Sequence, residues 1–235
     1  MARELHAALK KDGLQGPYVL VGHSAGAYHV RVFADMFPDD VVGMVLLDPS
    51  HEDQQARFPP EFNVMADEID RMILMYKTMT FFGISRITGL FKSAGLPEAQ
   101  RPAAIARANR YSEIQAAAAE MLAMTQCSDQ TRATGSLRDL PLTVMTGAKK
   151  QEPIPGLTAE VEEEAARVWL EMHRELTALS TRGKHVITEK SGHMLQYEVP
   201  DEVIQQVREM VTSLQQGTPA PQEGAEGAED AVHQK

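Results

Sequence analysis

The sequence predicts an α/β fold: a mostly parallel sheet of about four strands flanked by helices and interrupted by a long helical insertion. Three observations predict it. A short apolar, β-rich run, Tyr18 to Val21, gives way within a few residues to helical spacing at Ala27, Val30, Phe33, Ala34 and Phe37. Continuous apolar runs at Val41–Leu47 and Leu140–Thr146 have the character of parallel strands covered on both faces. Between those two runs, from Ser50 to about Arg138, strand–helix alternation stops and the chain becomes helical and methionine-rich.

Each element has its own local warrant. Met1 to Lys11 carries charges around Leu5, Ala8 and Leu9 and predicts a short amphipathic helix, unlike a signal peptide. Pro38 stops the helix that follows Ser24, and Asp39-Asp40 turn the chain into the second strand, which ends at Asp48-Pro49. In the insertion, Ile69 to Leu90 is interrupted by Asp70, Arg71, Lys77 and Arg86. It therefore reads as a segment packing in a cap core, or lining a methionine-rich acyl pocket, and not as a membrane span. Ala116 to Ala119 lends helix propensity to Tyr111–Met124. Thr158–Leu179 keeps helical spacing through Val161, Ala165, Val168, Trp169, Met172 and Leu176, with Glu162, Glu163 and Glu164 in its first turn. His185–Thr188 reads as the fourth strand, Asp201–Leu214 as the last helix, and the Gly/Pro/Ala/Glu-rich stretch beyond Gln215 as disordered. The expected division is 1–50 and 139–215 as the two parts of the core, 51–138 as a helical cap and 216–235 as a tail.

Composition narrows the function. With 235 residues and 43% hydrophobic content the chain can bury one sizeable core. A formal charge of -10 with no evident basic face argues against nucleic acid as a partner and favours a small molecule. The one cysteine, Cys127, rules out an internal disulfide and a cysteine-based zinc site. No uncharged apolar run approaches the ~18 residues of a membrane span.

The chemistry concentrates at Gly22-His23-Ser24-Ala25-Gly26. A serine on a sharp strand-to-helix turn stands exposed above the sheet, and the two flanking glycines are expected to clear the crossing of strand and helix. The helix starting there aims backbone N–H groups, Ala25 first, at the place where an oxyanion would form. A serine hydroxyl needs a base. His193, after the last strand and behind Ser191-Gly192, is positioned to reach back to it. His23 is expected to hold a supporting or packing role, and His173 and His185 to be structural or exposed. His51 follows Asp48 but has no second metal-type ligand at useful spacing, which weighs against zinc.

On these residues, together with Leu46-Leu47-Asp48-Pro49 and Ser191-Gly192-His193, the chain resembles the α/β-hydrolase family up to about Ser213. The order Ser, acid, His is the order of that family. The resemblance implies a triad acid at a strand end. Asp48 matches the position used by lipase-type members, and Glu152, in Gly147-Ala148-Lys149-Lys150-Gln151-Glu152-Pro153, is the alternative at the more usual position. Serine at the elbow departs from the aspartate of the family's epoxide hydrolases and haloalkane dehalogenases.

The resemblance also implies four strands and an oxyanion-hole loop ahead of the elbow, whereas 17 residues precede Tyr18 here. The expectation is therefore a fragment or a chain completed by a partner, with Tyr18–Val21 an exposed sheet edge that favours self-association. The function implied is a serine hydrolase cleaving a carboxylic ester or related acyl substrate through an acyl-enzyme, without cofactor or metal. Thioesterase, amidase and perhydrolase chemistry stay open. The alternative is a catalytically weak or silent member that binds a ligand or partner.

Overall fold

The computed structural model describes residues 1–90, 98–150 and 153–217, without the side chains of 63–70. Two features of the sequence reading, Glu152 and the tail from 218 onward, lie outside the described residues. Four strands form one parallel sheet in chain order: β1 (Tyr18–His23), β2 (Val41–Leu47), β3 (Leu142–Gly147) and β4 (Gly183–Thr188). Helix α1 (Ala2–Lys11) precedes β1, and α2 (Gly26–Met36) joins β1 to β2.

The insertion between β2 and β3 holds α3 (Gln54–Arg57), α4 (Glu61–Phe81), α5 (Ile84–Thr88), α6 (Arg101–Ala108), α7 (Tyr111–Leu122) and α8 (Met124–Arg132). After β3 come α9 (Ala159–Thr177), β4, the short α10 (Leu195–Glu198) and α11 (Pro200–Gly217). The last helix continues past Gln215 to Gly217, two residues into the stretch expected to be disordered. β4 likewise starts at Gly183, two residues before His185.

Strand alternation divides the core. Leu20, Met44, Leu46, Leu142 and Val144 face one side, where Ala27, Val30, Phe33 and Ala34 of α2 and Leu176 of α9 cover them. Val45, Leu47 and Met145 face the other, against Leu195, Val199 and Met210. Each Val, Leu, Phe or Met among them, once buried, contributes about 1.5–3 kcal/mol. β2 is buried on both faces along nearly its whole length, which is why its sequence is a continuous apolar run. β1 pairs only with β2 among the described residues, and Val21 on it is 44% exposed, so one edge of the sheet is open at the strand that leads to Ser24.

The insertion is clipped where it begins and ends. Arg31, buried on α2, donates two hydrogen bonds to Glu52, 2.5 and 2.9 Å. Burial alone would push the Glu52 carboxyl up, but the Arg31 hydrogen bonds and charge outweigh it and hold the group at about 2. Arg132, at the end of α8, donates to the Glu52 carbonyl at 2.7 Å and to Asp53 Oδ1 at 2.9 Å. Tyr28 on α2 donates to the His51 carbonyl at 2.8 Å, and burial pushes its phenol up to about 12.

The packing expected for Ile69–Leu90 is found only in part. Leu74, Phe81, Phe82 and Ile87 are largely exposed, because α4 packs on α5 and α7 and not on the sheet. Among the described residues no helix is long and apolar enough to cross a membrane.

Candidate active site

Ser24 sits at the junction of β1 and α2 with φ 53, a left-handed conformation that costs a non-glycine residue about 1–2 kcal/mol. Its N–H donates to the Leu47 carbonyl at 3.0 Å, and its own carbonyl accepts from Ser50 N–H at 3.1 Å, so the turn is tied to the end of β2 on both sides of Asp48. The clearance expected from two glycines is needed at one. A Cβ on Gly22 would lie 2.8 Å from Val30 and 2.9 Å from the Gly26 carbonyl oxygen, whereas a Cβ on Gly26 would meet nothing within 4 Å. Ala25 is the N-cap of α2, and its N–H donates to no protein acceptor among the described residues.

Asp48 directly follows β2, also at positive φ, and is 3% exposed. Its Oδ2 accepts from His193 Nδ1 at 2.7 Å. Its Oδ1 accepts from the Gly147 N–H at 3.0 Å and from Trp169 Nε1 at 3.2 Å. A carboxylate with three donors and little water is fixed in direction, and the Nδ1–H tautomer it imposes leaves His193 Nε2 with a free lone pair. His193 itself lies on the loop after β4 and is exposed.

Two further histidines brace these groups. His23 Nε2 donates to the His193 carbonyl at 2.8 Å, and the two rings lie 4.7 Å apart, which fits the supporting role expected of His23. Burial lowers the His23 pKa and favours the neutral ring. His173 is fully buried: its Nε2 donates to the Pro49 carbonyl at 2.9 Å, while Thr146 Oγ1 bridges His173 Nδ1 and His185 Nε2 at 2.7 Å each. Burial drives His173 down to about 4, so the ring is neutral and the relay runs from His185 through Thr146 to His173.

The structure therefore brings Asp48 and His193 into direct contact and ties Ser24 to the same end of the sheet. Among the described residues no hydrogen bond joins the Ser24 hydroxyl to His193. Two cavities stand out, one between α2 and residues 134–140, the other between α1, α2 and α8, and neither is lined by Ser24, Asp48 or His193. Among the described residues no group of three or more His, Cys, Asp or Glu could hold a metal ion. Trp169, Gly147, Thr146 and His173 escaped the sequence reading as partners of the site. The one signal for Gly147 was its place at a strand end.

A parallel sheet with a positive-φ serine between strand and helix, and an Asp–His pair beside it, defines an α/β protein with hydrolase-like architecture. The profile of the alpha/beta hydrolase family matches residues 2–206, and the chain belongs to that family. The solved structures agree in fold. A thermophilic esterase from Thermogutta terrifontis, solved with malate bound, is 22% identical, with a TM-score of 0.54 over 91% of this chain and 71% of its own. A mutant of the haloalkane dehalogenase DatA from Agrobacterium tumefaciens is 15% identical, with a TM-score of 0.61 over 90% and 72%. A carboxylesterase structure from Nitrososphaera gargenis is 13% identical, with a TM-score of 0.52 over 92% and 72%. No curated protein matches the sequence.

Proposed function

We infer that the chain is a serine hydrolase of carboxylic esters or related acyl substrates, with 51–138 as a cap over the core formed by 1–50 and 139–215. In this reading Ser24 Oγ attacks the acyl carbon while His193 Nε2 takes its proton, and Asp48 holds the imidazole and stabilises its charge. The Ala25 N–H faces the developing oxyanion. His193 returns the proton to the leaving alkoxide, and a water activated by the same nitrogen releases the acid from the acyl-enzyme. No cofactor takes part. What supports the reading above all is the Asp48–His193 hydrogen bond at 2.7 Å, with Asp48 locked from behind by Gly147 and Trp169. The absence of a Ser24–His193 bond is compatible with it, since catalytic hydrogen bonds tighten when substrate binds.

A second reading, a silent member that binds a ligand or partner, is favoured by the open edge at β1 and by one visible oxyanion donor. Losing one such donor costs on the order of 10²–10³-fold in turnover. One comparison separates the two: hydrolysis of p-nitrophenyl acetate and p-nitrophenyl octanoate, and fluorophosphonate labelling, by this chain and by Ser24→Ala. Turnover and labelling that vanish in the variant are expected. A folded chain that neither turns over nor labels would leave the silent reading standing.

A further inference from the structure

We propose that the outer face of the insertion, formed by the end of α4, α5 and the start of α7, docks on an anionic lipid surface. This goes beyond the acyl chemistry of Ser24 and does not depend on it.

The first observation is apolar exposure in one place. Leu74, Phe81, Phe82 and Ile87 are 66%, 65%, 67% and 86% exposed. These helices pack on one another, with α5 and α7 both against α4, and Phe81 meets Phe82 and Tyr111 edge-on with ring centroids 5.2 and 5.5 Å apart. The other exposed large apolar residues, such as Leu14, Ile187 and Ile204, are scattered. A contiguous exposed apolar patch on a polar protein marks an interaction surface.

The second observation, the charge of the same stretch, selects the partner. Residues 71–113 carry seven Lys or Arg and two acidic residues, a net of +5, while the remainder has sixteen basic against thirty-one acidic residues. Arg71, Arg86, Arg107 and Arg110 of this stretch are exposed, and Arg107 is paired with Glu113 at 3.4 Å. Aromatic and aliphatic side chains flanked by arginines match a bilayer interface, where the apolar groups enter the acyl boundary and the cations meet phosphates. A second copy fits less well. Pairing like with like would bring two net-basic stretches together, and pairing with the acidic body would leave the apolar residues against charge.

The test is cosedimentation with vesicles of phosphatidylcholine alone and of phosphatidylcholine with phosphatidylglycerol, at about 0.1 M and about 0.5 M salt. The chain is expected on the anionic vesicles at low salt, released at high salt. The Arg71→Gln, Arg86→Gln pair should lower partition about 25-fold, about fivefold per cation. The Phe82→Glu, Ile87→Glu pair, at exposed positions, should abolish binding while leaving the circular dichroism unchanged. Ser24→Ala should bind as the parent does, so failure of the hydrolase reading leaves this result untouched. No binding at low salt, or equal binding to neutral and anionic vesicles, would overturn the proposal. So would a concentration-dependent dimer lost in the Phe82→Glu, Ile87→Glu variant without vesicle binding, which would assign the face to a second copy.

Discussion

Replacing Asp48 by asparagine puts the proposed chemistry under the sharpest test, because the geometry dictates which way the new amide must turn. Gly147 N–H and Trp169 Nε1–H both point at one carboxylate oxygen, at 3.0 and 3.2 Å, so the amide oxygen has to occupy that position. The amide NH₂ then faces His193 Nδ1, where Asp48 Oδ2 stood 2.7 Å away. A donor facing Nδ1 forces the other tautomer, with the proton on Nε2, and His193 can no longer accept the proton of Ser24. The expected loss in kcat is on the order of 10⁴-fold, about 5.4 kcal/mol of activation free energy.

Stability should barely move, within about 1 kcal/mol, because both buried donors keep an acceptor. Asp48→Ala is the contrast: it orphans both donors at about 1–3 kcal/mol each. The assay is kcat for p-nitrophenyl acetate corrected by fluorophosphonate titration, beside urea denaturation. Nitrogen-15 shifts of His193 report the tautomer whether or not the chain turns over. An Asp48→Asn variant within tenfold of the parent rate, or one whose His193 keeps its proton on Nδ1, would refute the reasoning. Glu152→Gln would then be the next variant to measure.

Three other outcomes are expected. A Cβ on Gly147 would lie 2.1 Å from the Gly192 carbonyl, so Gly147→Ala must push apart the end of β3 and the loop carrying His193. A loss of about 3 kcal/mol in urea denaturation is expected, and parent-like stability would show that the loop yields freely. His173 is held at about 4 in the fold against 6.5 unfolded, chiefly by burial. The unfolded chain therefore takes up a proton first, and stability that is complete above pH 6.5 drains away towards pH 4 at up to about 1.4 kcal/mol per pH unit. His173→Gln should flatten that slope by one proton's worth, and an unchanged slope would mean that other groups carry it. At the open edge, Val21→Lys should suppress self-association through β1, measured by sedimentation velocity, and a parent that is monomeric at every concentration would end that idea.

Much of this was legible because the signals are local. The turn at Ser24 is written in five consecutive residues, and β2 in a run of seven whose burial on both faces leaves no polar position. The Asp48–His193 pairing, 145 positions apart, could be anticipated because both follow strands and parallel strands deliver their ends to the same edge. What holds Asp48 was not legible. Trp169 looked like one more apolar position on a helix, and nothing local says that its indole N–H crosses to a strand end 121 residues earlier. His173 shows the same limit: helical spacing does not reveal that Pro49 and Thr146 close over it. In the insertion, apolar periodicity implied a covered face, yet the covering layer is thin and leaves Phe81, Phe82 and Ile87 outside.

The clip formed by Arg31, Glu52, Asp53 and Arg132 has a consequence for how such a chain can change over time. Eighty positions separate Glu52 from Arg132, yet the two are bonded, so the excursion between them leaves and rejoins the scaffold at one place. Closing a longer or shorter excursion at that point changes the chain entropy by only about 0.6 kcal/mol per doubling of length. The strands are thus indifferent to the length of what is grafted above them, while Phe58, whose ring lies 5.6 Å from that of Trp169, ties the start of the excursion to the indole that holds Asp48. Exchange of the segment beyond Phe58 can explore new surfaces and new ligands while the sheet and its strained serine stay as they are.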